Sequence, residues 1–80
     1  MSLPQAVLIY LNENARTVGA IPPEDSDNLF STGILDSFSL VDFITVLEEH
    51  SGIKVPDADV NPANFQTITA IESYVNERKG

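Results

Sequence analysis

The sequence predicts a small all-α bundle on three observations. Every strong hydrophobic periodicity is helical, no hairpin signal occurs, and 80 residues leave room for a single core. A chain of this size buries only about 60–65% of the surface it exposes when unfolded, so its stability margin is thin. Its 42% hydrophobic content still suffices for a small packed core.

The first helical pattern runs from about Leu3 to Arg16. Ser2 is its expected N-cap and Pro4 is tolerated in the first turn. Leu3, Val7, Leu8, Leu11 and Ala15 recur at helical spacing and form one apolar face. Gly19, Pro22 and Pro23 then end any helical tendency. Residues 17–35 read as loop, long for so small a domain, with Ile21, Leu29, Phe30, Ile34 and Leu35 as expected anchors to the core.

The second helix is predicted from about Ser37 to Ser51, with Gly52 as its stop. In "IKVPDADVNP" Pro56 and Pro62 limit regular structure, and a single short turn fits residues 62–65. The last helix starts near Thr67, a good N-cap, and uses Ile68, Ile71 and Val75 before fraying into "ERKG". The whole is expected to be one domain over residues 1–80.

Composition excludes several classes. Four basic residues against twelve acidic ones give a net charge of −8, a surface that nucleic-acid backbones repel. Such acidity keeps a small protein soluble and monomeric, or steers it toward partners with basic patches. Without cysteine there is neither a disulfide framework nor a thiolate metal site. "MSLPQAVLIY" has no basic flank or long apolar run, so neither a signal peptide nor a membrane span is expected, and the reading is cytoplasmic.

On a helical wheel of residues 37–51, Leu40, Phe43, Ile44 and Leu47 make the core stripe. Phe38, Asp42, Thr45 and Glu49 fall opposite, flanked by Val41 and Glu48. Two apolar residues ringed by carboxylates beside a helix start read as a docking surface. The alternative is that Phe38 folds back onto the loop anchors. At the same junction, "TGILDSFSL" places Asp36 and Ser37 before the apolar run. Asp36 is the better cap, which leaves the Ser37 hydroxyl spare near the positive end of the helix dipole. A phosphate ester there is favoured by the dipole and by free N–H groups.

Catalysis by Ser37 needs a general base. The single histidine, His50, lies thirteen residues further along the same helix, or about 20 Å at 1.5 Å per residue. "DADVNP" begins like a calcium loop, but Pro62 occupies the glycine position and Ile68 the closing glutamate position. No phosphate-binding glycine loop and no zinc spacing occur, so no metal site and no active site is predicted.

"GILDSFSLVDFITVLEEHSGIKVP" closely resembles the central segment of acyl carrier proteins, in which an Asp-Ser-Leu motif opens an acid-studded second helix. The resemblance continues through the long first loop and the final helix. It implies a four-helix bundle, three longer helices and one short, that is a shuttle rather than an enzyme. Ser37 matches the serine that receives 4′-phosphopantetheine from coenzyme A through a phosphopantetheinyl transferase, and Asp36 the aspartate beside it. Acyl groups then ride as thioesters on the arm's terminal thiol, which the cysteine-free chain does not itself supply.

Phe38, Val41, Asp42, Glu48 and Glu49 match the recognition helix that such carriers present to basic patches on loading and processing enzymes. Phe38 departs from the usual leucine, and Thr45 stands where many fatty-acid carriers have a larger apolar residue. "TGILDS" is similar to stand-alone carriers of specialised pathways, some of which load amino acids such as D-alanine. The expected function is therefore an acyl carrier. The alternatives are an aminoacyl or peptidyl carrier with the same arm, or a helical adaptor without one.

Overall fold

The computed structural model describes residues 3–79. Four α-helices and one 3-10 turn follow in order: α1 (Gln5–Thr17), α2 (Ser39–Ser51), the turn (Asp57–Asp59), α3 (Pro62–Phe65) and α4 (Ile68–Lys79). Among the described residues there is no strand, and no helix is long and apolar enough to cross a membrane.

Helix α1 buries Val7, Leu11 and Ala15, spaced four residues apart, and Leu3 joins the core just ahead of it. It opens at Pro4, whose carbonyl accepts from the Val7 and Leu8 N–H groups without a side-chain cap. Ser2, the expected cap, lies outside the described residues. At the other end Gly19 N–H donates to the Arg16 carbonyl and Ala20 N–H to the Ala15 carbonyl. Those paired bonds are a Schellman motif, and they need the left-handed φ of +76° that Gly19 supplies.

The long first loop is a built connector. Leu29, Ile34 and Leu35 are buried, and Phe30 packs against the core from a half-buried position. Asn28 Oδ1 accepts from the N–H groups of Phe30 and Ser31, a side-chain-stabilised turn. Two ties hold the loop to the far side of the bundle. Leu29 N–H donates to the Gln66 carbonyl at 2.7 Å, and the Asp25 carbonyl accepts from Thr69 N–H and Oγ1. Ile21 is no anchor: it is 80% exposed. The Schellman turn presents Ala20 to the core instead, and Ile21 follows it just before Pro22, where the chain is held extended.

Helix α2 buries Leu40, Phe43, Ile44 and Leu47, the predicted stripe, together with Ser51. Its last turn closes when Gly52 N–H donates to the Glu48 carbonyl. Asn61 caps α3 by accepting from Asn64 N–H, with Pro62 in the first turn. Thr67 caps α4 as expected, its Oγ1 accepting from Ala70 N–H at 3.0 Å. The 3-10 turn between the two prolines is not visible in the sequence pattern, because three residues carry no periodicity.

One aromatic from each helix joins a row through the centre. Tyr10 of α1 meets Phe43 of α2 at 5.9 Å between ring centroids, Phe43 meets Phe65 of α3 at 6.4 Å, and Phe65 meets Tyr74 of α4 at 5.1 Å. The last two pairs are edge-on, the arrangement that ring quadrupoles favour. Even α3, only four residues long, is therefore fixed by a fully buried side chain.

Candidate functional site

Gly33, with φ of +82°, turns the loop toward the start of α2, its N–H bonding the Phe30 carbonyl. Ile34 and Leu35 follow as buried anchors, so Asp36 emerges where the chain leaves the core. Asp36 Oδ1 accepts from the N–H groups of Phe38 at 2.9 Å and Ser39 at 2.8 Å. Ser39 Oγ reciprocates by accepting from Asp36 N–H at 2.9 Å. The Asp36 carbonyl takes the first helical bond, from Leu40 N–H.

Asp36 is thus the cap that the residue types predict. The regular helix begins at Ser39, two residues later than expected, because the N–H groups of Phe38 and Ser39 are directed to the Asp36 side chain. Those bonds, the one from Ser39 foremost, hold the Asp36 carboxyl below its ordinary value of 3.8.

Ser37 sits in the turn between cap and helix, exposed, and its hydroxyl has no hydrogen-bond partner among the described residues. The free N–H groups expected around it are fewer than the sequence suggests. Phe38 and Ser39 donate to Asp36, which leaves the Ser37 N–H itself. Helix α1 holds the junction from below. Tyr10 OH donates to the Ser39 carbonyl at 3.4 Å, and Asn14 Nδ2 to the Ile34 carbonyl at 3.3 Å.

The outward face of α2 is as the wheel predicts. Phe38 is 86% exposed and Val41 59%, so Phe38 does not fold back onto the loop anchors. Asp42, Thr45 and Glu49 are exposed beside them, with Thr45 Oγ1 donating to the Val41 carbonyl. Glu48 differs. It is half-buried, and its Oε2 accepts from Val55 N–H at 2.7 Å, bracing α2 against the chain that follows it. Sequence reasoning missed this because the wheel describes one helix and Val55 lies beyond it. His50 is exposed in the last turn of α2, at the opposite end from Ser37, so no histidine base stands beside that hydroxyl.

The profile described as phosphopantetheine attachment site matches residues 11–75. The chain belongs to this family of phosphopantetheine-bearing carrier proteins. It is a carrier rather than an enzyme, and its prosthetic group is covalent 4′-phosphopantetheine, delivered by a phosphopantetheinyl transferase and served by loading enzymes. Among similar proteins, a D-alanyl carrier protein of Lactobacillus helveticus is 31% identical over 81 aligned residues, 96% of this chain and 100% of that protein. A D-alanyl carrier protein of Streptococcus pyogenes serotype M5 is 37% identical over 51 residues, 64% of this chain and 65% of its own. No solved structure matches.

The residues at the junction fit the group. Esterifying the Ser37 hydroxyl breaks no hydrogen bond that the structure shows, because Asp36 and Ser39 satisfy each other without it. The Asp36 charge opposes a neighbouring phosphate. That repulsion is screened at an exposed site and offset by the helix start.

Proposed function

We propose that Ser37 carries the arm and that the cargo is an aminoacyl group, with D-alanine the first choice. The observation that supports attachment at Ser37 is its exposed hydroxyl at the mouth of α2, without a hydrogen-bond partner among the described residues and inside the region matched by the family profile. In the transfer, a bond forms from Ser37 Oγ to the phosphorus of the pantetheine phosphate. The pyrophosphate linkage of coenzyme A breaks, adenosine 3′,5′-bisphosphate leaves, and the hydroxyl proton passes to the transferase or solvent.

Bound, the arm supplies a thiol for thioester chemistry. The chain's own residues hold that thiol's tether at a rigid, exposed point and present a face to the enzymes that load and unload it. Both relatives are D-alanyl carrier proteins, which favours the aminoacyl reading over the acyl one expected first. They agree with "TGILDS", the feature that set this chain apart from fatty-acid carriers.

The docking face consists of Phe38 and Val41 among Asp42, Thr45 and Glu49, with Glu48 partly engaged by Val55. A net charge of −8 steers it toward basic patches on partner enzymes. The chain works as one monomeric cytoplasmic domain. The test is an intact mass after incubation with coenzyme A, magnesium and a broad-specificity phosphopantetheinyl transferase. One phosphopantetheine is gained by the natural chain and none by Ser37→Ala. A subsequent incubation with ATP, D-alanine and a D-alanine-activating ligase adds one alanyl group to the holo form. An unmodified natural chain would return the helical adaptor to the front.

A further inference from the structure

Helix α1 carries a polar amide where its apolar stripe calls for a hydrocarbon. Asn14 lies seven residues beyond Val7, two turns on, and so shares the side of α1 that buries Val7 and Leu11. Asparagine is also a poorer helix former than leucine. Neither apolar burial nor helix propensity accounts for it. Its Nδ2 donates to the Ile34 carbonyl at 3.3 Å, the one hydrogen bond to that carbonyl among the described residues. One turn earlier on the same helix, Tyr10 OH donates to the Ser39 carbonyl at 3.4 Å.

Ile34 and Ser39 stand on either side of Ser37, three residues before it and two after. We propose that Tyr10 and Asn14 are positioning residues for arm transfer: they clamp both flanks of the Ser37 turn to α1 and so fix where the hydroxyl meets the incoming phosphorus. The inference rests on attachment at Ser37 and is independent of the cargo.

Packing alone does not set that position. A hollow of about 170 Å³, with Asn14, Ile34, Asp36 and Ser39 in its lining, lies between α1 and the turn. Unfilled space supplies no contacts to hold the turn on that side. The capping box ties Asp36 to Ser39, but both partners belong to the turn and move with it. Leu35 N–H donates to the Leu29 carbonyl at 2.9 Å, a bond within the same loop. Among the described residues, the hydrogen bonds that join residues 34–39 to α1 are those from Tyr10 and Asn14.

Position sets the rate. In the step served, Ser37 Oγ bonds to phosphorus, adenosine 3′,5′-bisphosphate leaves with the electrons of the broken pyrophosphate linkage, and the hydroxyl proton passes to the transferase or solvent. A reacting group misplaced by about 1 Å can cost roughly a hundredfold in such a step. Tyr10 and Asn14 act through the backbone of the turn and lie apart from the outward face of α2. Their loss therefore slows the transfer without weakening the encounter that precedes it.

The experiment follows single-turnover arm transfer from coenzyme A by a broad-specificity phosphopantetheinyl transferase. It separates the rate at saturating transferase from the transferase concentration that gives half of it. Tyr10→Phe keeps the ring against Phe43 and loses the donor. Asn14→Leu keeps the branched shape, suits the stripe and loses the donor. Together they are expected to lower the saturating rate roughly tenfold, with the half-saturating concentration unchanged. Asn14→Gln, which keeps an amide donor, is expected to retain more of that rate than Asn14→Leu.

Thr69→Val is the control. It deletes the Thr69 Oγ1 bond to the Asp25 carbonyl, a tie of the same kind at the far side of the loop, and is expected to leave both values unchanged. Amide NMR of the double variant is expected to show shifts concentrated at residues 35–39, with remote amides such as that of Phe65 in place. An unchanged saturating rate in the folded double variant, or an equal fall in Thr69→Val, would overturn the clamp and leave the carrier reading intact. If the double variant loses spectral dispersion, Tyr10→Phe alone carries the comparison, with a saturating rate lowered roughly threefold. A natural chain that takes no arm would overturn the Ser37 assignment itself, and the clamp with it.

Discussion

Asp36 and Ser39 cap each other: the aspartate Oδ1 accepts from Ser39 N–H at 2.8 Å while Asp36 N–H donates to Ser39 Oγ at 2.9 Å. The pair is a capping box with serine in the place usually held by glutamate or glutamine. Its consequence is that Ser37, the first of the two residues between them, is left with a hydroxyl that makes no hydrogen bond among the described residues. The hydroxyl proposed to be modified is one that the fold can spare.

This box is expected to respond to acid. Because the folded-state Asp36 pKa lies below 3.8, its stabilisation is complete above that value and is lost as pH falls through the depressed one. NMR titration of the Asp36 carboxyl, read beside the Phe38 and Ser39 amides, is expected to show one shared acid transition. In Asp36→Asn those amides keep an acceptor and lose the transition. A carboxyl midpoint at or above 3.8 would contradict the hydrogen bonding described.

Tyr74 sets the alkaline limit. Burial foremost, and then its hydrogen bond to Asp59, raise its phenol from 10.0 to about 12. A raised folded-state value contributes stability that is full below about pH 10 and is lost as pH rises through about 12. Ultraviolet titration is expected to show a phenolate transition at about pH 12 that is absent in Tyr74→Phe. That variant should also unfold less steeply between about pH 10 and 12.

Phe65 and Ser51 make opposite predictions inside the core. Phe65 is fully buried between Phe43 and Tyr74, and Phe65→Ala costs about 3–5 kcal/mol. In a domain this small that is most or all of the stability. Urea unfolding followed by circular dichroism is expected to start from a largely unfolded baseline. The Ser51 hydroxyl is buried without a hydrogen-bond partner among the described residues, so Ser51→Ala removes an uncompensated desolvation and improves helix propensity. Its midpoint is expected to rise, by about 4–8 °C in thermal unfolding if the gain is about 1 kcal/mol. A fall would mean that the hydroxyl does find a partner in solution.

The acidic face is tested by reversing charge where nothing else depends on it. Asp42→Lys with Glu49→Lys should slow arm transfer by roughly tenfold at low salt, with the difference closing near about 1 M salt, where screening is short-ranged. Helicity should not change, since both residues are exposed. Equal rates at low salt would exclude steering by this face.

By itself the sequence determined what is local. Repeats of Val7, Leu11 and Ala15, or of Leu40, Phe43, Ile44 and Leu47, specify which side of each helix is buried, because helical geometry relates neighbours in the chain. The Asp36 and Thr67 caps, the stops at Gly19 and Gly52, and the spare serine at 37 are legible for the same reason.

The tertiary structure decided what depends on residues brought together from a distance. It sent Glu48 to Val55, turned Ile21 out and Ala20 in, and lined up Tyr10, Phe43, Phe65 and Tyr74 from four helices. Such pairings minimise the free energy of the whole bundle. Hydrogen bonds such as Tyr10 to Ser39, 29 positions apart, leave no period along the chain from which to read them.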